Sequence, residues 1–238
     1  MPEISELRIK LFADGANIDE IVKMNANILI KGLTTNPTLM KKSGVHNYKE
    51  FCLEVLQIVK EKPISFEVFS DEIDEMENQA HKISSWAENV YVKIPITNTK
   101  GQSTAGLVEK LSHEGIKVNI TAVMTEEQVL EISRKLDGET SSYVSIFAGR
   151  IADTGQDPIS LVKKSLEILS ECRNTEIIWA SPRELLNIFQ ADAIGCHIIT
   201  ATSDILNKLN LVGYDLTEYS LDTVKMFYRD ALECSYKI

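Results

Sequence analysis

The sequence contains no long hydrophobic segment. Across its 238 residues no apolar run approaches the roughly 18–20 residues that a membrane span requires. The first ten residues, MPEISELRIK, lack the apolar core of a secretory signal. We therefore predict a cytoplasmic protein that does not interact with membranes.

Cysteine pairs and metal-ligand motifs are also missing. The four cysteines (Cys52, Cys172, Cys196 and Cys234) form no CxxC pair and have no histidine at metal-ligand spacing, so we expect reduced thiols used in packing. The acidic segment SDEIDEMENQ, residues 70–79, is typical of a solvent-exposed helix face. The sequence therefore predicts no metal site.

Basic residues are in the minority. The formal net charge is −10, which disfavours binding to nucleic acid and favours solubility. An anionic small-molecule substrate therefore needs a local pocket of positive charge in this protein.

Short apolar runs alternate with amphipathic segments along the chain. The runs predict eight strands, at 8–14, 29–36, 64–70, 90–96, 117–124, 143–149, 176–181 and 196–202. Apolar residues at i, i+3, i+4 and i+7 predict helices between them, among them 47–60, 103–114, 125–136 and 158–171. This alternation is typical of an α/β protein built as a (β/α)8 TIM barrel.

The domain organisation follows from the same pattern. We predict a single barrel domain over residues 1–238, because no linker or repeat interrupts the alternation. An open doubly wound sheet fits less well, since no GxGxxG or GxxxxGKS motif follows the first strand. Residues 217–238 predict a last amphipathic helix, which either covers the barrel or docks on a neighbouring subunit.

A lysine stands inside the fourth predicted strand. In NVYVKIPIT, residues 89–97, the period of two places Val90, Val92 and Ile94 on one face and Tyr91 and Lys93 on the other. If the aliphatic face packs on helices, the lysine points into the barrel, where desolvation disfavours its charged form and makes a nucleophilic amine available. The alternative is a buried lysine that only forms an ion pair with a carboxylate.

Polar side chains also lie within or just after six further strands. A barrel interior is otherwise filled with branched apolar side chains, so this many polar residues favours a catalytic site. Each has a structural alternative as well, such as Asp14 as a helix cap or Glu67 as the ion-pair partner of Lys93. We expect Glu67 in mid-strand, alternating inward with Ser65 and Phe69. The polar set comprises Asp14, Asn36, Glu67, Asn119, Thr121, Ser145, Arg150, Ser181 and Arg183.

Six short segments resemble, in this order, the signature segments of the transaldolases. They are LTTNPTL (33–39), FEV (66–68), VYVKIPIT (90–97), NIT (119–121), SIFAGRI (145–151) and ASPR (180–183). The resemblance extends from about residue 10 to residue 205. In length the chain is similar to the short subfamily that also contains the fructose-6-phosphate aldolases. The family's fold is a (β/α)8 barrel, in agreement with the strand count.

The resemblance implies roles for four catalytic residues. Lys93 corresponds to the lysine that forms an imine with the ketose C2 carbonyl, and Asp14 to the acid/base that takes the C4 hydroxyl proton. Glu67 and Thr121 correspond to the pair that holds a water for imine formation and hydrolysis. The protonated imine acts as the electron sink, so the resemblance implies no cofactor.

The resemblance also implies a binding site for sugar phosphates. Asn36 and Ser145 correspond to residues that orient the hydroxyls of a three-carbon dihydroxyacetone unit. The expected grip on the phosphate comprises Arg150, Ser181 and Arg183, because guanidinium groups offer paired donors to an anion. The implied reaction transfers the unit from a ketose phosphate, such as sedoheptulose 7-phosphate or fructose 6-phosphate, to an aldose, as in the pentose phosphate pathway.

Two residues bear on transfer versus simple cleavage. Glu67 and Phe147 are the transaldolase choices, where the fructose-6-phosphate aldolases are expected to carry glutamine and tyrosine. Transfer is therefore favoured, with aldolase-type cleavage as the alternative. Relatives in the short subfamily assemble into pentamers or decamers, which implies a homo-oligomer here.

Three positions depart from the family pattern. Gly15 stands where threonine or serine is common, Ile146 where proline is usual, and Trp179 is larger than is typical. By period two, Trp179 shares a face with Ile177 and Ser181, so we expect it to narrow the pocket or to shape its acceptor end. That leaves the identity of the sugar open, including a sulfonated ketose, because sulfonate and phosphate both present three oxygens to planar donors.

Overall fold

Eight parallel strands close into a barrel in the computed structural model, which describes residues 3–234 and Tyr236. The strands follow one another around the barrel in chain order, and β8 pairs with β1. They are β1 Lys10–Asp14, β2 Ile30–Thr34, β3 Ile64–Glu67, β4 Val90–Pro95, β5 Val118–Val123, β6 Ser142–Ile146, β7 Thr175–Trp179 and β8 Ile198–Thr202. The predicted (β/α)8 barrel is therefore confirmed.

Helices connect the strands on the outside of the barrel. They are α1 Ile18–Ala26, α2 Pro37–Lys42, α3 Tyr48–Ile58, α4 Ile73–Ser84, α5 Ala105–His113, α6 Glu126–Ser133, α7 Ala148–Ala152, α8 Pro158–Ile168, α9 Leu186–Ala193, α10 Ser203–Leu206 and α11 Leu216–Glu233. Two starts follow from local sequence chemistry. Thr125 caps α6 in a reciprocal capping box with Gln128, and Asp157 caps α8 directly ahead of Pro158.

Aromatic and aliphatic side chains fill the lower part of the barrel interior. Phe12, Tyr91 and Tyr143 pack there with Ile178 and Ile198. The Tyr91 and Tyr143 rings are stacked, with centroids 4.0 Å apart. Because this layer closes the barrel from below, polar side chains one step further along the strands face the carboxyl-terminal mouth.

The third strand is shorter than the alternation predicts. β3 ends at Glu67, so this residue lies at the strand's carboxyl end and not in mid-strand. The Gln79 side chain accepts hydrogen bonds from the N–H groups of Phe69 (2.9 Å) and Ser70 (3.2 Å), which draws the chain away from the sheet. Phe69 is consequently 64% exposed and packs edge-to-face against Tyr48, so its predicted inward orientation was wrong.

The carboxyl-terminal helix lies apart from the barrel core. None of the residues in α11 is buried, so it does not cover the barrel within a single chain. Of the segment predicted as helix, residues 235, 237 and 238 lie outside the described residues. Among the residues that the structure describes, no helix combines the length and apolar character needed to cross a membrane.

Candidate active site

A cavity of about 910 Å³ opens at the carboxyl-terminal mouth of the barrel. Side chains from β1 to β8 and the loops that follow them form its wall, which is where barrel enzymes place their active sites. Of the residues that the sequence singled out for the site, ten line it: Asp14, Asn36, Glu67, Lys93, Thr121, Ser145, Phe147, Arg150, Ser181 and Arg183. Residues from seven strands and the segments that follow them thus meet in one space.

The Lys93 amine lies at the base of this cavity. The residue is 6% exposed, and its Nζ lies 3.2 Å from Glu67 Oε2 on the neighbouring strand. The same Nζ donates to the main-chain oxygen of Thr35 at 2.9 Å. Strand register explains the first contact, because Glu67 pairs with Lys93 across β3 and β4. The geometry places a nearly buried amine beside a carboxylate that can exchange a proton with it.

Asp14 lies at the end of β1 with both of its carboxyl oxygens occupied. Thr34 Oγ1 donates to Oδ1 at 2.8 Å, and Asn36 Nδ2 donates to Oδ2 at 3.1 Å. The Asn36 amide is fixed in turn, since its oxygen accepts from the Leu39 N–H at 2.9 Å as the cap of α2. These contacts hold the Asp14 carboxyl in one orientation toward the cavity.

Burial raises the pKa of the Asp14 carboxyl above its ordinary value. The neighbouring Lys93 ammonium and the hydrogen bonds from Thr34 and Asn36 act in the opposite direction, but they do not cancel the desolvation. Glu67 adds to the elevation through its negative charge. A carboxyl group with a raised pKa both accepts and returns protons more readily near neutral pH, as general acid/base catalysis requires.

Thr121 reaches the cavity through an irregular strand end. The residue is 2% exposed, and its Oγ1 has no hydrogen-bond partner within the described part of the chain. The next residue, Ala122, has a φ of 61°, and the pairing between β5 and β6 shifts register here. A non-glycine residue in the left-handed region costs free energy, and such strain is concentrated at functional sites. The unpartnered hydroxyl can hold a water or a substrate group.

A buried hydrogen-bond chain supports Ser145. Its Oγ donates to Asn119 Oδ1 at 2.7 Å, and Asn119 Nδ2 donates to Ser65 Oγ at 3.0 Å. Asn119 is fully buried and does not line the cavity, so it orients Ser145 instead of facing a ligand. Phe147 lies beside Ser145 in the cavity wall.

Two exposed arginines face the cavity from the loops after β6 and β7. Arg183 forms an ion pair with Asp153, and its Nε lies 3.4 Å from the Gly149 oxygen. Glycine is required at 149, because a Cβ there would lie 1.6 Å from the Ser181 oxygen. This close approach brings Arg150, the next residue of α7, to the same side of the cavity as Arg183 and Ser181. The set offers donors suited to a phosphate or sulfonate.

Trp179 does not narrow the pocket. It is 1% exposed, packs with Ile177 in the outer core and does not line the cavity, so that expectation was wrong. The inward positions of this strand are Ile178 and Ala180. Ser181 reaches the cavity because its φ of 59° breaks the alternation that linked it to Trp179. Of the other two residues that depart from the family pattern, Gly15 lines the cavity and Ile146 is buried in the outer core.

Two threonines in the cavity wall were missed by sequence reasoning. Thr34 contacts Asp14, and Thr200 on β8 contacts Thr34 with their Oγ1 atoms 2.6 Å apart. The period of two along β8 predicts that Thr200 faces inward, because Ile198, two residues earlier, points into the barrel. The described residues contain no group of three or more histidine, cysteine or acidic side chains that is arranged to hold a metal ion.

Comparison with known proteins places the chain among related sequences. The family model for Transaldolase/Fructose-6-phosphate aldolase matches residues 11–238. A probable transaldolase of Thermoanaerobacter sp. (strain X514) is 36% identical over 94% of this chain and 98% of its own length. A probable transaldolase of Clostridium kluyveri (strain ATCC 8527 / DSM 555 / NBRC 12016 / NCIMB 10680 / K1) is 38% identical over 90% of this chain and 94% of its own.

A solved structure has the same fold with little sequence similarity. The crystal structure of KGPDC from Streptococcus mutans superposes with a TM-score of 0.56 and 12% identity. The superposition covers 83% of this chain and 89% of that chain. At this identity the match supports the barrel fold alone.

The raised pKa of Asp14 predicts how Asp14→Asn changes stability with pH. A group with a higher pKa in the folded state stabilises the fold fully below its unfolded-state pKa and loses that contribution as pH rises through the folded-state value. The variant has no such group, so its melting temperature relative to the wild type should rise as the pH is raised above about 4, the unfolded-state pKa of an aspartic acid. Thermal unfolding at several pH values measures the difference.

Asp230→Asn, which removes an exposed carboxylate on α11, controls for the general loss of one negative charge. The Asp14 difference should rise more steeply with pH than the control difference. Equal slopes would contradict a raised pKa at Asp14.

Proposed function

The chain belongs to the transaldolase/fructose-6-phosphate aldolase family, and on that premise we propose that it is a transaldolase that works through an imine on Lys93. The enzyme transfers a three-carbon dihydroxyacetone unit from a ketose phosphate, such as fructose 6-phosphate or sedoheptulose 7-phosphate, to an aldose. The observation that carries the proposal is the nearly buried Lys93 amine at the base of a cavity rimmed by arginines.

Imine formation begins with Lys93 and Glu67. At 3.2 Å, Glu67 takes a proton from the Lys93 ammonium, and the neutral amine attacks the ketose C2 carbonyl. The resulting carbinolamine loses water to give the protonated imine. Thr121 and Glu67 hold that water, a role that the unpartnered Thr121 hydroxyl at the cavity supports.

Carbon–carbon cleavage follows at Asp14. Its carboxylate takes the proton of the C4 hydroxyl while the C3–C4 bond breaks, which releases an aldehyde. The bonding electrons move into the protonated imine and give an enamine on Lys93. An acceptor aldose then adds at C3, Asp14 returns the proton to the new alkoxide, and hydrolysis of the imine frees the product. No step requires a metal or an organic cofactor, because the imine nitrogen receives the electrons.

Substrate binding uses the two sides of the cavity. Asn36 and Ser145 orient the hydroxyls of the three-carbon unit near Lys93. Arg150, Ser181 and Arg183 bind the phosphate at the other end. Their position in a chain of net charge −10 supplies the local positive charge that an anionic substrate needs.

The nearest alternative is aldolase-type cleavage that releases free dihydroxyacetone. Glu67 and Phe147 are the residues expected of a transaldolase, and both therefore favour transfer. The ring of Phe147 has no hydroxyl, so it places no phenol beside the enamine to direct water onto it. A sulfonated ketose is a second alternative, since the same arginines bind either anion. A third is a sugar-phosphate-binding barrel without catalysis, in which Lys93 and Glu67 form only an ion pair.

Product analysis tests the proposed reaction. With fructose 6-phosphate and erythrose 4-phosphate, we expect glyceraldehyde 3-phosphate and sedoheptulose 7-phosphate in equal amounts, and little product without the acceptor. Lys93→Met should lower the rate by more than about 1000-fold, because the covalent route is lost. Mass spectrometry of the sugars measures both results.

Lys117→Met is the matched control, because Lys117 is also partly buried but precedes β5 at the opposite end of the barrel. It should retain activity. Dihydroxyacetone release at the same rate with and without erythrose 4-phosphate would favour the aldolase. Turnover by Lys93→Met at the wild-type rate would exclude an imine on this lysine.

The carboxyl-terminal helix supports a homo-oligomer, with a pentamer or decamer as the family expectation. Leu221, Val224, Tyr228 and Leu232 form one apolar stripe along α11, and all four are more than half exposed. Exposed contiguous apolar surface of this kind marks an interaction site, and a second copy of the chain is the occupant that we propose.

Light scattering after size exclusion tests this assembly. The wild type should have a mass several times that of one chain, and the double variant Leu221→Asp/Tyr228→Asp should shift toward the monomer. Thr223→Asp, on the opposite side of the helix, should leave the mass unchanged. A monomeric wild type would contradict the proposal.

A further inference from the structure

Three side chains on adjacent strands form a hydrogen-bond chain that ends at Asp14. Thr200 on β8 contacts Thr34 on β2 with their Oγ1 atoms 2.6 Å apart, and Thr34 Oγ1 lies 2.8 Å from Asp14 Oδ1. Both threonines are buried, with 6% and 3% exposure, and both line the cavity. Thr200 Oγ1 has no other hydrogen-bond partner in the described ranges.

The number of hydroxyl hydrogens fixes the direction of this chain. A threonine hydroxyl donates one hydrogen and accepts at its two lone pairs. When Asp14 is ionised it can only accept, so Thr34 gives its hydrogen to Asp14 and Thr200 must give its hydrogen to Thr34. When Asp14 Oδ1 carries a proton, that proton goes to Thr34, and Thr34 gives its own hydrogen to Thr200.

The other oxygen of Asp14 has no such freedom. Asn36 Nδ2 donates to Oδ2 at 3.1 Å, and this amide cannot turn because its oxygen holds the Leu39 N–H. An amide nitrogen is only a donor. A proton on Asp14 is therefore better accommodated at Oδ1, where the partner can reverse.

We propose that Thr200 is a positioning residue for the acid/base step, because it lets the chain through Thr34 reverse each time Asp14 gains or loses its proton. The inference rests on the proposed role of Asp14 in transaldolase chemistry. Thr200 itself does not contact the reacting atoms in this scheme. It stabilises the protonated form of Asp14 that arises when the C4 hydroxyl gives up its proton.

Charged side chains around Asp14 also act on its pKa. Lys93 on β4 and Glu67 on β3 act on its pKa in opposite directions. Glu20 on α1 and Asp204 on α10 line the same cavity at its mouth. Thr34 on β2 and Asn36 at the start of α2 present a hydroxyl and an amide to Asp14, and Thr200 on β8 reaches it only through Thr34, so Thr200 can be altered without changing a charge.

Replacing Thr200 with valine keeps the shape of the side chain and removes the acceptor. Thr34 then retains Asp14 as its acceptor, so the ionised state loses the Thr200-to-Thr34 hydrogen bond and the polarisation that it supplied, roughly 10–30% of the Thr34–Asp14 bond, but leaves no donor unpaired. The protonated carboxyl loses more, because Thr34 no longer has an acceptor for its own hydrogen when it accepts from Asp14. Because the variant destabilises the protonated form of Asp14 more than the ionised form, the pKa of Asp14 falls.

The test is a titration of Asp14 in the free protein, followed by carbon-13 NMR of its carboxyl group, which Asp14→Asn assigns. Thr200→Val should lower the pKa of Asp14 by about half a unit or more, and Thr200→Ser should restore it. In the transfer assay, Thr200→Val should lower kcat about 5-fold or more, with a smaller change in KM for the ketose phosphate. Thr200→Ala removes the same hydroxyl and replaces Thr200→Val if that variant does not fold.

Thr175→Val is the matched control, because Thr175 is a buried strand threonine whose Oγ1 has no partner among the described residues. It should leave the pKa and kcat unchanged. A pKa of Asp14 that stays the same or rises in Thr200→Val, or a serine variant that behaves like valine, would overturn the inference. The titration needs no substrate, so it decides this point even if the transfer reaction itself is not observed.

Discussion

The site depends on the burial of Lys93 inside a closed barrel. Taking such a charge out of water is costly unless it is paired and hydrogen-bonded. Glu67, on the neighbouring strand β3, and the main-chain oxygen of Thr35, directly after β2, provide those partners. The aromatic layer below, with Tyr91 and Tyr143, closes the interior, so Lys93 faces only the cavity above it.

Two carboxyl groups lie near this amine in different surroundings. Glu67 is in direct contact with Lys93, while Asp14 is held by Thr34 and Asn36 and has a pKa raised by burial. Two carboxyl groups in different surroundings can perform different steps of one reaction. The proposed mechanism gives proton transfer at the imine to Glu67 and proton transfer at the substrate hydroxyl to Asp14. The two arginines that we propose to bind the substrate anion follow β6 and β7 on the cavity wall.

Much of this arrangement could be predicted from the sequence, because parallel strands in a barrel follow simple periodicities. The eight strands and the inward face of β4 that carries Lys93 were confirmed. The polar residues at strand ends meet in one cavity because parallel strands end on the same face.

The remainder depends on tertiary contacts that no local pattern contains. Gln79 draws the chain away after Glu67 and exposes Phe69, and the left-handed backbone at Ser181 brings Ser181 to the cavity although Trp179, two residues earlier, faces the outer core. Thr200 resembles an ordinary β-forming residue until its contact with Thr34 is known.

Chemical trapping of the imine tests the central claim most directly. The protein is incubated with fructose 6-phosphate, reduced with borohydride, digested and mapped by peptide mass spectrometry. Our account predicts a three-carbon adduct on the peptide that carries Lys93, which would identify the nucleophile and the cleaved donor together. If Lys93 stays unmodified with fructose 6-phosphate, sedoheptulose 7-phosphate and a sulfonated ketose alike, the imine mechanism is contradicted and Lys93 serves only as the ion-pair partner of Glu67.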